Sequence, residues 1–121
     1  MNAAAPLRIL VVEDSKDALQ MLCELLSLFG HDASGAPDAP AALELLSAQA
    51  FDVLLTDVNL PGQSGIALAR QAKAGAPQMK IIFASGHDGA MASYVGFPSV
   101  WLTKPYDCES LLQALNQSDS V

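Results

Sequence analysis

Five side chains with chemical potential stand where apolar runs end: Glu13, Asp14, Asp57, Ser85 and Lys104. Arg8-Ile-Leu-Val-Val12 delivers Glu13-Asp14, and Phe51-Asp-Val-Leu-Leu-Thr56 delivers Asp57. Lys80-Ile-Ile-Phe-Ala84 delivers Ser85-Gly86, and Val100-Trp-Leu-Thr103 delivers Lys104-Pro105. Runs that are apolar on both faces are typical of a parallel sheet covered by helices on each side. Such sheets place their sites outside the carboxyl ends of the strands. The reactive groups are therefore expected to meet at one edge.

Three carboxylates brought together repel one another unless a hard cation takes the charge, and Mg2+ suits them because it binds through one or two carboxylates and keeps several waters. Lys104 adds a compact positive charge on a flexible stem, suited to pairing first with a carboxylate and then with a phosphoryl group. Ser85 adds a hydroxyl donor. Together these parts describe an aspartate that attacks a phosphoryl donor, its charge neutralised by metal and lysine. Each residue also has an ordinary reading: Asp57 as a turn or helix cap, Glu13-Asp14 as favourable charge before a helix, Lys104-Pro105 as a turn. Their joint occurrence in this order, each at a strand end, favours the chemical reading.

The elements that must position these groups alternate along the chain. Ser15 caps a helix whose apolar positions Ala18, Leu19, Leu22, Leu25, Leu26 and Phe29 keep helical spacing up to Gly30. His31 to Gly35 reads as a poorly apolar edge strand, and Asp38 with Pro40 opens a second helix to about Ala50. A loop from Pro61 to Gly65 precedes a helix over Ser64 to Ala74, and a last helix runs from Asp107 to Asn116. Between Ser85 and Lys104, Gly86, Gly89, Gly96 and Pro98 leave room for about two helical turns, from Asp88 to Val95. This alternation specifies a doubly wound α/β fold with helices on both sides of a parallel sheet.

The chain of 121 residues is one domain of ordinary size, residues 1–121 with a core over about 7–117. Cys23 and Cys108 have no His or Cys at metal spacing beside them and read as idle thiols in a reducing compartment. A formal charge of −7 argues against direct nucleic-acid binding, which needs clustered Lys and Arg. No apolar run approaches the roughly 20 residues of a membrane span, and residues 1–6 are too short for a secretory signal. A soluble, cytoplasmic protein with no membrane contact is expected.

With these residues in place, the chain resembles the receiver domain of two-component response regulators, the family of the chemotaxis receiver protein, over nearly its whole length. Glu13-Asp14 matches the family's acidic pair, Asp57 its phosphoacceptor, Asp57-Val-Asn-Leu-Pro-Gly62 its loop motif, Ser85 its Ser/Thr switch position and Lys104-Pro105 its lysine with a usually cis peptide. The resemblance implies a flavodoxin-like three-layer sandwich with strand order 2-1-3-4-5. It also implies that Asp14 and Asp57 ligate Mg2+ directly, Glu13 through water and Asn59 through its backbone carbonyl. Its implied partners are a sensor histidine kinase or phosphotransfer protein, with a homodimer also admitted. Phosphorylation of Asp57 would draw Ser85 inward and turn the aromatic at Trp101. The chain departs from the family at two points. Trp101 stands where Tyr or Phe is usual, and the stretch from Ser85 to Lys104 is shorter than the commonest pattern by about one helical turn, as in receivers associated with hybrid histidine kinases.

Three function classes follow. The leading one is a phosphoacceptor signalling domain that catalyses its own phosphorylation and slow hydrolysis without turning over an external substrate. The second is a receiver-like interaction module that has lost phosphorylation, against which the complete site speaks. The third is a phosphatase with an aspartyl nucleophile. Such enzymes usually carry a second Asp two positions on, where Asn59 stands here. A flavin carrier is the weakest, because no Ser/Thr/Gly-rich phosphate loop follows the first strand.

Overall fold

The apolar runs become strands, and the amphipathic stretches between them become the helices that cover them. The computed structural model describes residues 6–86 and 95–116. In it β1 (Arg8–Val12), α1 (Lys16–Leu28), β2 (Asp32–Ala36), α2 (Ala39–Ala48), β3 (Val53–Asp57), α3 (Gly65–Gly75), β4 (Lys80–Ser85), β5 (Val100–Thr103) and α4 (Cys108–Asn116) follow in order. The sheet runs β2-β1-β3-β4-β5 with every neighbouring pair parallel. That is the flavodoxin-like order the resemblance implies. The expected helix over Asp88 to Val95 lies outside the described residues, apart from Val95, which is buried in a turn.

Alternation along the strands divides the core in two, because successive side chains point to opposite faces. One face stacks Leu10, Leu54, Ile81 and Phe83 against Leu68 and Ala69 of α3 and Ala42 of α2. The other stacks Val11, Leu55, Ile82 and Leu102 against Leu26 of α1 and Leu111 of α4. β3 is buried at every position because both faces are covered and both edges are paired. β2 is an outer strand and carries Asp32, Ser34 and Gly35. A polar edge of this kind discourages pairing with another chain.

Each helix begins on a side-chain oxygen that satisfies an orphan N–H of the first turn. Ser15 accepts from Ala18, Asp38 from Ala41 and Ser64 from Ala67. Asp107 Oδ1 accepts from Ser110 N at 2.8 Å, so this residue, expected as the first of the last helix, caps it. At the amino-terminal end of the sheet, Asp52 stands outside β3 because it is spent on β1. Its carboxylate takes the Arg8 N–H at 2.8 Å and pairs with the guanidinium at 2.9 Å. Among the described residues no helix is long and apolar enough to cross a membrane.

Leu54 is fully buried on the central strand, so Leu54→Ala is expected to lower stability by about 2–5 kcal/mol. Urea unfolding checks this as a lower midpoint at unchanged slope. A loss well under about 1 kcal/mol would mean that the site collapses around the truncation.

Candidate functional site

Parallel register carries the four strand ends to one edge. Val12 lies beside Thr56, Asp57 beside Ala84 and Ser85 beside Thr103, so Glu13, Asp57, Ser85 and Lys104 follow within a few ångströms along the same rim. Glu13, Asp57 and Ser85 are each only 6% exposed, whereas Asp14 faces solvent. Glu13, Asp14 and Asp57 offer carboxylate oxygens that all lie within 4.8 Å of one another. Lys104 closes the group: its Nζ stands 2.5 Å from Asp57 Oδ1 and 3.3 Å from Glu13 Oε1. The Lys104 backbone N–H donates to the Ser85 carbonyl at 2.7 Å, and the Lys104–Pro105 peptide is cis.

Burial sets the electrostatics. It pushes the Asp57 carboxyl up to about 6, with Lys104 opposing the shift and Glu13 adding to it. Burial works the same way on Glu13 but is outweighed there by the Ser15 N–H, by the hydrogen bond to Asp57 and by Lys104, so Glu13 lies below the ordinary carboxylate range. The Ser15 bond is 3.0 Å long and arises because α1 starts shortly beyond the acid. Burial depresses the Lys104 ammonium, but Asp57 and then Glu13 more than restore it. Two buried carboxylates thus share one ammonium, with Asp14 at the rim. A carboxylate cluster under-compensated by protein cations suits a hard divalent cation with oxygen ligands.

The remaining expected residues take different places. Asn59 is exposed, two positions beyond Asp57 in the loop before α3. Trp101 is half-buried on β5, its ring 4.8 Å from that of Phe83 and its indole N–H donating to Ser99 Oγ at 2.9 Å. Ser85 ends β4 one position past the partner of Asp57.

Three features of the site escape sequence reasoning. Thr56 is buried beside Asp57 and donates its hydroxyl to the Asp57 carbonyl at 2.9 Å. Gly65 begins α3 against that same carbonyl. An apolar groove of about 770 Å³ also opens from Glu13 and Lys104 along α1, floored by Ala18, Leu22, Leu25 and Tyr106. In sequence Gly65 reads only as the place where a loop passes into a helix, and Thr56 only as the last residue of an apolar run. No one-dimensional pattern announces a groove made from one helix and a loop roughly 80 residues away.

The buried Asp57 charge makes a stability prediction for the metal-free protein. Its folded pKa is raised, so the native state holds this proton more tightly than the unfolded chain does. Stability therefore falls as pH rises from about 3.8 through about 6. Asp57→Asn removes the buried charge and is expected to stabilise the protein at pH 7 in chelator by about 1–3 kcal/mol. The difference should vanish below pH 3.8. Thermal unfolding at the two pH values checks it, and destabilisation at pH 7 would contradict the upward shift of Asp57.

A family model described as the response regulator receiver domain matches residues 9–116. The virulence sensor protein BvgS of Bordetella pertussis is 46% identical over 68 residues, covering 56% of this chain and 6% of that protein. The response regulator protein FleR of Pseudomonas aeruginosa is 29% identical over 108 residues, covering 87% of this chain and 23% of that protein. The chain therefore spans less than a quarter of these two relatives. Among solved structures, chemotaxis protein CheY4 of Vibrio cholerae superposes with a TM-score of 0.83 at 27% identity, covering 93% of this chain and 98% of that one. A CheY-like receiver domain from Methylobacillus flagellatus does so with a TM-score of 0.80 at 31% identity, over 93% of this chain and 98% of that one. With the family match running from β1 to the end of α4 and the acids and lysine at its rim, the chain belongs to the family of response regulator receiver domains.

Proposed function

We propose that Asp57 accepts a phosphoryl group from the phosphohistidine of a sensor histidine kinase or phosphotransfer protein, and that residues 1–121 act as one receiver domain. The observation that carries this reading is the pairing of a buried, charge-burdened Asp57 carboxylate with Lys104 at 2.5 Å. One carboxylate oxygen attacks phosphorus. As the P–O bond forms, the P–N bond breaks and the imidazole nitrogen leaves with the electron pair. Lys104, on its flexible stem, follows the charge from the carboxylate to the phosphoryl oxygens, and the Ser85 hydroxyl donates to one of them. Phosphorylation then shifts the balance between two conformations of the domain.

The residues present fit Mg2+: Asp14 and Asp57 would hold it directly, Glu13 through water and Asn59 through its backbone carbonyl. When bound, the ion supplies positive charge to the transferring phosphoryl oxygens. Such charge compensation is needed, because Lys104 is the sole cation within salt-bridge distance of Glu13 and Asp57 among the described residues.

The groove beside the site fits a helix from the histidine donor. It is continuous with Glu13 and Lys104, and its floor is apolar. Met21, 66% exposed, stands on its wall, and Leu28, 82% exposed, continues the apolar line two turns further along α1. An amphipathic helix seated in such a groove buries its own apolar face and brings a histidine to the rim. A cytoplasmic location follows from the same reading, since donors charged from ATP are found there.

Acetyl phosphate with Mg2+ is expected to label the wild type and leave Asp57→Asn unlabelled, as read by intact mass. Equal labelling of both would overturn the assignment. Asp14→Ala should weaken Mg2+ binding more than Glu13→Ala, since one ligand is direct and the other acts through water. Titration giving the opposite order would exchange their roles. Met21→Glu should slow transfer from a histidine donor by about tenfold or more, as expected for a charge forced into an apolar contact, while labelling by acetyl phosphate stays unchanged. Equal slowing with both donors would remove the groove from the reading.

A further inference from the structure

The chain path just beyond Asp57 carries an inference about how the acceptor is aimed. An Asp side chain has only two rotatable bonds, so the place of its carboxylate follows the backbone closely. Asp57 is the last residue of β3, and the peptide that follows it keeps one last bond to β4, from the Val58 N–H to the Ala84 carbonyl at 3.2 Å. Two further neighbours fix the exit from the other side. The Thr56 hydroxyl, on a residue 1% exposed, donates to the Asp57 carbonyl at 2.9 Å. The Gly65 N–H donates to the Val58 carbonyl at 2.6 Å, drawing the start of α3 onto the strand end. The approach is so close that a Cβ on Gly65 would lie 1.8 Å from the Asp57 oxygen, 2.9 Å from its carbonyl carbon and 3.1 Å from Thr56 Oγ1. These are main-chain atoms and a buried hydroxyl, not the yielding tip of a long side chain.

We propose that Thr56 and Gly65 are positioning residues that clamp the Asp57 carbonyl and so aim its carboxylate at the phosphorus. The proposal rests on Asp57 being the phosphoacceptor. Neither residue touches the reacting atoms. Thr56 supplies the hydrogen bond and Gly65 supplies the absence of bulk that lets α3 come down onto the strand end. In-line attack tolerates little displacement, and a shift of about 1 Å costs about 10²-fold in rate.

The test separates aim from stability by exchanging hydroxyl and shape at residue 56. Thr56→Ser keeps the hydroxyl and loses a buried methyl, whereas Thr56→Val keeps the branched shape and loses the hydroxyl. Initial rates with acetyl phosphate and Mg2+ are compared with urea midpoints for both variants and for Gly65→Ala. The Ser variant should label within about threefold of wild type and the Val variant about tenfold or more slower, whatever the order of their midpoints. Where Gly65→Ala folds, it should also be at least about tenfold slower. The clamp is overturned if the folded Val variant labels at the wild-type rate, or if the rates of all variants simply follow their stabilities. An unlabelled wild type would instead overturn the phosphoacceptor reading, and the clamp with it.

Discussion

Two buried carboxylates sharing one ammonium is the constraint on which the rest of the site depends. Glu13 and Asp57 are both 6% exposed, and Lys104 reaches both. Desolvating like charges side by side is costly, and the cost is tolerated only where geometry and further hydrogen bonds compensate it. The fold supplies that compensation from three directions. The start of α1 gives Glu13 the Ser15 N–H, β5 and its following turn deliver Lys104, and the central position of β3 holds Asp57 between paired neighbours. The imbalance that remains leaves a cluster of three carboxylates facing one ammonium, the kind of charge distribution that suits a hard cation.

Rigidity and openness are divided accordingly across the molecule. β3 is buried throughout, and Phe83 of β4 packs on both Phe97 and Trp101. Lys73 of α3 lies 5.7 Å over the ring of Phe97, and Arg70 donates to the Val95 carbonyl at 3.3 Å. These contacts fasten the approach to β5 against α3. The opposite side of the site, along α1, is by contrast apolar and open. The Asp57 carboxylate thus stands between a packed wall and an open apolar one.

Much of this is legible in the chain because the relevant signals are local. β1 and β5 start and stop where their apolar runs do, and Ser15, Asp38 and Ser64 cap the helices their positions announce. The converging acids and lysine can be read because parallel strands bring their carboxyl ends together whatever the strand order. The order itself comes only with the family resemblance. What escapes is tertiary. Asp52 reads as part of a strand, yet Arg8 claims it, and Asp107 reads as helical, yet its carboxylate turns back to cap. Gly65 gives no hint that it lies against the Asp57 carbonyl, since a glycine in a loop reads as a turn and its reason is a contact across the loop.

In the proposed function Lys104 and Mg2+ would neutralise the same carboxylates, and the coupling between them tests that reading most directly. Thermal midpoints of the wild type and Lys104→Met, each in chelator and in saturating Mg2+, form a cycle in which stability added by bound ion is read as a shift. Without the lysine the carboxylates are less compensated and the ion meets no competing positive charge. Mg2+ should therefore raise the midpoint of Lys104→Met by more than it raises that of the wild type. Equal shifts would mean that lysine and ion act on separate groups, and would contradict their sharing of Glu13 and Asp57.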